Sequence, residues 1–499
     1  MIKRQLQTVA DISAIEASKG LGCNVRLDDV IARAQQAALA NGYAGNLSNA
    51  PNIVEIGSVK TVAGNRKFVA DGTMGAVHVV ATRRVPSSLI ARGFFKNDIT
   101  LSAQAVSLPN VPIASFSVGT TALTLNTKDS VLLNGLLGGM LGASIGLSLA
   151  SYQGLASTNI TLANIIKAQG QALSVDELLA LQLSSGELLA LLSNAAGLSA
   201  NAAPSAINDT LSLSQASLSN TKVSLGQILQ VNQNTQAEAL NVNLNVLNLV
   251  TAIVSLSNGQ NAITIPVGVN LPGLASVNAL VKIIEPPQVA IGPAADADGG
   301  ICTVAKSAQV RVSLAVLVNL VVATVDLSLN VNAANGSAGL RTIEGNNNTT
   351  DVTFDASTSL LSIKLSNVSG TAPANISLLG IPLATIGLNL APPNASSSAA
   401  TIQIERPVKG NLPKMLSVTG SLSGSFEQLF SKSSALVVKV LGINLPVIND
   451  LVTSVVQPLL VQVSISLLDP LLKLLGISVA NMDIVVEDVI LSNTNPLVI

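Results

Sequence analysis

Residues 240–250 read LNVNLNVLNLV. Leucine or valine alternates with asparagine, and no residue carries a charge. Alternation of period two predicts a strand with one apolar face. Widening the window to 240–259, LNVNLNVLNLVTAIVSLSNG, changes the period. Asn245, Asn248, Thr251 and Ser255 then fall three, three and four apart, one stripe of a helix. Asn241 extends the stripe, and Asn243 breaks it. The stretch therefore predicts a short extended start and then a buried helix over about 244–256 with a polar stripe. It is too short and too rich in asparagine to cross a bilayer.

Upstream, two helices are predicted before any strand. Leu6, Val9, Ala10, Ala14 and Ala17 recur at helical spacing in 5–19, and Gly20 and Gly22 stop that run. A second helix is predicted over 27–41, with Asp28 and Asp29 in the first turn, where acids complement the helix dipole. Alternating segments follow, among them GAVHVVATRRVP and DITLSAQAVSLP. Helices followed by strands imply a small α+β unit over 1–112. Residues 113–290 then form a Gly/Leu-rich region of mixed helix and strand, and 291–499 a β-rich region with short amphipathic helices. The boundary is placed at EPPQVAIGPAADADGG, 285–300, which is dense in turn formers. The fold class is thus α+β and β-rich: N-terminal helices packed on a small antiparallel sheet, followed by a large mixed body.

Within that body, 130–166 holds no charged residue, and Gly138, Gly142 and Gly146 lie four apart. Such spacing suits close helix packing in a membrane, but the glycines and serines favour a buried element of a globular body. Ser174 and Glu177 form a capping box, and Gly186 marks a break between two short helices. Residues 200–238 read as loop, and NGSAGLRTIEGNNNTTD as turn and loop. Pro458 and Pro470 are expected to cut the apolar C-terminal run into pieces too short to span a bilayer as one helix.

Composition removes several function classes. Charged residues make up 11% of the chain, less than half the usual ~25%, so Ser, Thr, Asn and Gln must supply the polar surface. Residues 1–100 hold 12 Lys/Arg against 7 Asp/Glu, while the remainder is net acidic. Nine aromatics and a net charge of −1 argue against nucleic-acid binding. His78 is the only histidine, set in a predicted strand beside two arginines, so any mechanism with two histidines is excluded. Neither a Walker A motif nor GxGxxG after a strand occurs. DASTS, with Asp355, Ser357 and Ser359, matches the D-x-S-x-S of a metal-dependent adhesion site, but its polar flanks favour a turn. Cys23 and Cys302 fit no zinc spacing; one long-range disulfide and two free thiols are both open. No catalytic, cofactor-binding or metal-ligating residue is assigned, and no cofactor is expected.

KRQLQTVADISAIEASKGLGCN, 3–24, resembles the segment just after the membrane anchor in TadE/TadG-like pilus-assembly proteins. Arg4, Gln5, Leu6, Gln7, Ala10, Asp11 and Ala14 match that pattern, whereas Ile12, Ser13, Ile15 and Glu16 depart from its alanine-rich form. GAVHVVATRRVPSSLIARGFF is similar to the strand and Val-Pro element of that family, and SYQGLA and SLLDPLLKLLGISVANMDIVVEDV look like TadG-related body segments. The resemblance implies a non-enzymatic envelope component of a tight-adherence (Flp) pilus or secretion system. It also implies an inner-membrane anchor upstream of Met1, a periplasmic body, partners among other pilus-assembly or envelope proteins, and no nucleic acid. The alternative is an extracytoplasmic protein that binds a hydrophobic ligand or lipid, which requires an elongated apolar cavity. A Ser-Lys hydrolase stands third and requires a buried lysine beside a serine.

Overall fold

In a computed structural model, two helices, Ile2–Ser18 and Leu27–Ala40, lie against a four-stranded antiparallel sheet. The structure describes residues 2–497 apart from 22–25, 63–64, 73–74, 87–97, 109–110, 119–126, 218–220, 260, 268–276, 297–298, 320–322, 358–360, 390–396, 420–425, 433–434, 441–445, 476–480 and 492–496. The helix stripes read from the sequence are the buried ones: Leu6, Val9, Ala10 and Ala14 on the first helix, Val30, Ala34 and Ala38 on the second. They meet Val77, Val79, Ala81, Ala103 and Ala105, the inward-pointing residues of the strands Ala76–Pro86 and Asp98–Ser107. Small residues on both sides let helix and sheet approach closely. This unit has its own hydrophobic core, and the α+β expectation holds here element by element.

The body is built on two larger cores. One lies between the helices of 127–258, an eight-stranded antiparallel sheet and a long C-terminal helical run. Along that sheet the order is Ala262–Val267, Val277–Glu285, Gln309–Asn319, Ala323–Ala333, Ala374–Leu378, Ile381–Leu388 and Leu436–Val440; Leu361–Ser366 also pairs with Ala323–Ala333. The other core packs Phe116 edge-on against Phe354, between a five-stranded and a four-stranded sheet. The five-stranded sheet draws on the whole body: Lys414–Thr419, Asn481–Ile490, Ile113–Val118, Val289–Pro293 and Leu229–Val231, in that order. A boundary at 290 therefore falls inside a strand. The prolines of EPPQ mark a turn, and the apolar VAIGP that follows is fully buried in the sheet.

Several local expectations are corrected. Residues 204–216, expected as loop, form a helix opened by Pro204 at its first turn, the helix position that tolerates proline. The stretch 335–351, expected as turn and loop, instead gives Ser337–Gly345 and the start of Thr349–Ser357, the two arms of a hairpin; Ala338, Leu340, Val352, Phe354 and Ala356 point inward, and Asn346 closes the turn. The prolines at 458 and 470 do not cut the C-terminal run. Pro446–Leu451, Gln457–Val463 and Asp469–Leu474 are joined by wide π turns at Val452–Val456 and Ser464–Leu468. A proline ring clashes with the carbonyl four residues earlier, and each widened turn sits where that carbonyl would stand. The stretch Val452–Leu474 is long and apolar enough to cross a membrane, but half of it is buried in the fold. Val456, Leu460, Val463, Leu467 and Leu471 face the core, and Thr453, Ser454 and Lys473 face out.

The glycine-rich segment is the helix Thr127–Leu141. A Cβ at Gly139 would stand 3.2 Å from Ile263 Cβ, and one at Gly135 3.5 Å from Ile265 Cγ2. The glycines thus let the helix lie close on the strand Ala262–Val267.

Candidate functional site

The opening stretch divides as its two periods suggest. Asn243–Asn245 is a strand, and Val246–Asn258 is a helix with eleven buried residues. Asn245 caps the helix, its Oδ1 accepting from Leu247 N at 3.1 Å and Asn248 N at 3.3 Å. Thr251 and Ser255, on the polar stripe, are buried, and Thr251 Oγ1 donates to Leu247 O.

The stripe faces the most polar buried point of the body. Glu487 and Asp488, on the strand Asn481–Ile490, are 4% and 1% exposed. A register shift between Val486 and Asp488 in the pairing with Ile113–Val118 leaves Glu487 as a bulge residue, which re-aims its side chain. Its Oε1 accepts from Asn248 Nδ2 at 2.7 Å and Ser117 Oγ at 3.2 Å, and its Oε2 from Asn245 N at 2.9 Å. Asp488 Oδ2 accepts from Asn243 N at 3.0 Å and Oδ1 from Val489 N at 2.8 Å. Ser115 Oγ donates to Asn243 O at 3.0 Å. Burial raises the pKa of both carboxyls; the donors around each oppose that rise. Every group here is engaged in holding the strand–helix junction to the central sheet. No nucleophile–base pair is among them.

A pattern not singled out in the sequence explains this arrangement. Six helices or turns of 148–258 begin alike: an apolar residue, then Ser, Thr or Asn as cap, then a polar residue three places on. The pairs are Ser148/Ser151, Thr161/Asn164, Ser174/Glu177, Ser184/Glu187, Ser224/Gln227 and Asn245/Asn248. In four of them the third residue turns back to the cap's own backbone N–H: Asn164 to Thr161, Glu177 to Ser174, Glu187 to Ser184 and Gln227 to Ser224. In the sixth pair that N–H, on Asn245, goes to Glu487 instead. A residue 242 positions away thus completes the capping box. The copies also pair with one another as short antiparallel strands: Ile160 stands opposite Leu244, and Leu183 opposite Val223. The spacing of the copies is irregular, so a search for a fixed period passes over them; the local pattern of cap plus three is the signal that finds them.

The other candidates are placed as follows. His78 Nδ1 lies 2.7 Å from Glu55 Oε1, and its ring stands 5.1 Å from that of Phe68. Asp355 is mid-strand rather than in a turn, held by Arg341 through two contacts of 2.7 Å; Ser359 lies outside the described residues. Asp28 and Asp29 occupy the first turn of their helix, as expected. Cys302 is disulfide-bonded, and the sequence's other cysteine, Cys23, lies outside the described residues. Among the described residues no lysine is buried, and no group of three metal-ligating side chains occurs. A cavity of about 220 Å³ is lined by Val310, Arg311, Asn332 and Ala333, below the ~300 Å³ at which ligand pockets begin.

Two family models match the chain. Residues 16–107 match one described as putative Tad-like Flp pilus-assembly, so most of the N-terminal unit is similar to a Tad-like domain, in line with the resemblance read from the sequence. Residues 129–255 match a domain of unknown function (DUF8293), a span that contains all six caps. That first match supports a role related to pilus assembly at the cell envelope. No curated protein and no solved structure matches.

Proposed function

We propose that this chain is a non-enzymatic structural and interaction component of a tight-adherence (Flp) pilus-assembly or secretion system. In this reading its body lies outside the cytoplasm, it is held at the inner membrane by an anchor, and its partners are other envelope proteins. The observation that carries the reading is the Tad-like match over 16–107, which covers a unit with its own core from the end of its first helix onward. The disulfide at Cys302 supports the extracytoplasmic placement, since disulfides persist in oxidising compartments. The most buried acids, Glu487 and Asp488, support a structural role, because donors from the neighbouring strand and helix occupy them.

The test is deletion and rescue in the native host. Loss of the gene should abolish surface pili, and restored full-length protein should return them. Crosslinking in the envelope fraction should capture other pilus-assembly proteins. Unchanged piliation, or native protein found in the cytosol, refutes the reading.

A further inference from the structure

One residue other than glycine has a positive φ among the described residues: Leu379, at 52°. It and Gly380, at φ 82°, form the two-residue turn between the strands Ala374–Leu378 and Ile381–Leu388, with Leu378 opposite Ile381. A turn with both central residues left-handed favours Asn-Gly, and leucine there is disfavoured. Leucine gains nothing by burial in return, being 80% exposed, while Ile381 beside it is 64% exposed. Pro382 is exposed as well. A strained, outward aliphatic side chain at a hairpin tip is an outlier that points to contact with something outside the chain.

Sheet register shows what surrounds this tip. Leu378 stands opposite Ala323, at the start of its strand, and Asn319 stands opposite Thr324 across the neighbouring hairpin. Val267 opposite Val277, and Val440 opposite Ala384, put two further strand ends at this same end of the sheet. Among the described strand residues at this end, no Asp, Glu, Lys or Arg occurs in 262–267, 277–281, 312–319, 323–325 or 374–388. At the far end, Lys282 pairs with Arg311, and Glu285 with Gln309. The charges nearest the tip in register are Asp326, opposite Asn375, and Lys439, opposite Thr385; from there outward to Leu379 the hairpin and its paired strand ends carry none.

We propose that the Leu379–Ile381 tip inserts into the apolar layer of a lipid bilayer. A protein partner would be expected to meet charged groups that pair with its own and fix the register of the contact, and the segment 374–388 holds no Asp, Glu, Lys or Arg. A convex tip of aliphatic side chains has no groove to be filled and needs only a fluid apolar phase, in which charge is costly and leucine and isoleucine are favoured. The contact is peripheral. It is separate from any anchor and does not depend on the pilus reading.

Flotation of the purified full chain with phosphatidylcholine vesicles tests this, at low and at high salt. The wild type should float, with little salt dependence. Leu379→Asn supplies the residue the turn prefers, so the hairpin stays formed, yet vesicle binding should fall roughly tenfold, the scale of one buried leucine. Ile381→Ser should act likewise, while Val304→Ser, an exposed apolar residue on another sheet, should leave binding unchanged. Wild type that stays with the unbound fraction, or Leu379→Asn that floats as well as wild type, overturns the proposal. So does a wild type that self-associates and is made monomeric by Leu379→Asn, because the tip then contacts protein.

Discussion

The helix Leu27–Ala40 of the N-terminal unit begins at Arg26, whose side chain makes no cap hydrogen bond. The helix Val246–Asn258 of the body begins at Asn245, whose side chain caps it and whose backbone N–H reaches a glutamate at the other end of the chain. The contrast runs through both regions. The N-terminal unit keeps a conventional charged surface and leaves its second helix start to solvent. The body has few charges, and its Ser, Thr, Asn and Glu side chains are turned onto its own backbone. Polar composition in the body is therefore partly internal wiring. That accounts for how so uncharged a chain satisfies many short helices, whose ends each leave backbone groups unpaired.

Removing the long-range member of this wiring should have the largest effect. Glu487→Ala leaves Asn245 N, Asn248 Nδ2 and Ser117 Oγ without their shared acceptor, all in a buried place. The expected loss is about 3 kcal/mol or more. Hydrogen exchange should show it as lost protection across 243–258 and 481–490, with the N-terminal unit unchanged; equal loss in both regions would break the comparison. Glu487→Gln keeps one acceptor oxygen and should cost less. Acid gives a second readout. A carboxyl whose folded pKa is raised binds more protons folded than unfolded, so stability falls as pH rises from the unfolded value through the raised one. Lowering the pH from neutral into that window should therefore strengthen the junction through Glu487 and Asp488, and Glu487→Gln should remove Glu487's share of the gain.

The disulfide comes next. Cys302 is bonded, so thiol titration of the native protein should find no free thiol without reductant and two after reduction and unfolding, one for each cysteine in the sequence. Cys302→Ser should cost about 2–4 kcal/mol, the usual range for a native disulfide. A free thiol at Cys302 in protein isolated from its native compartment would contradict the extracytoplasmic reading.

How much of this the sequence discloses differs between the same two regions. In the N-terminal unit, stripes such as Leu6, Val9, Ala10 and Ala14 state both the helix and its buried face, because each element there has a single apolar side. In the body, Val246–Asn258 is buried on nearly all sides, so periodicity weakens; the stripe of Asn245, Asn248 and Thr251 marked it through its polar residues instead. The strands at 337–357 were hidden by polar outward positions and an asparagine turn. The π turns at 452–456 and 464–468 were hidden because proline rules assume a regular helix. The acceptor at Glu487 has no local signature at all. Its role depends on a bulge and on a partner 242 residues away, and only the tertiary structure brings the two together.

The smallest predicted effects test the caps one at a time, in opposite directions in the two regions. Ser184→Ala removes the acceptor for Glu187 N and the hydroxyl that donates to Glu187 Oε2. It should destabilise the Ser185–Gly197 helix by about 1 kcal/mol. Arg26→Ser offers the Leu27–Ala40 helix a cap it lacks, at the cost of a 3.7 Å pair with Asp28 between two exposed side chains, which contributes little. The N-terminal unit should gain about 0.5–1 kcal/mol, read as slower exchange at 28–30 with the body unaffected. If Arg26→Ser gives no gain while Ser184→Ala still costs, the start of the second helix is already satisfied by a contact of its own. The difference between the two regions would then lie in charge alone and not in how each closes its helix ends.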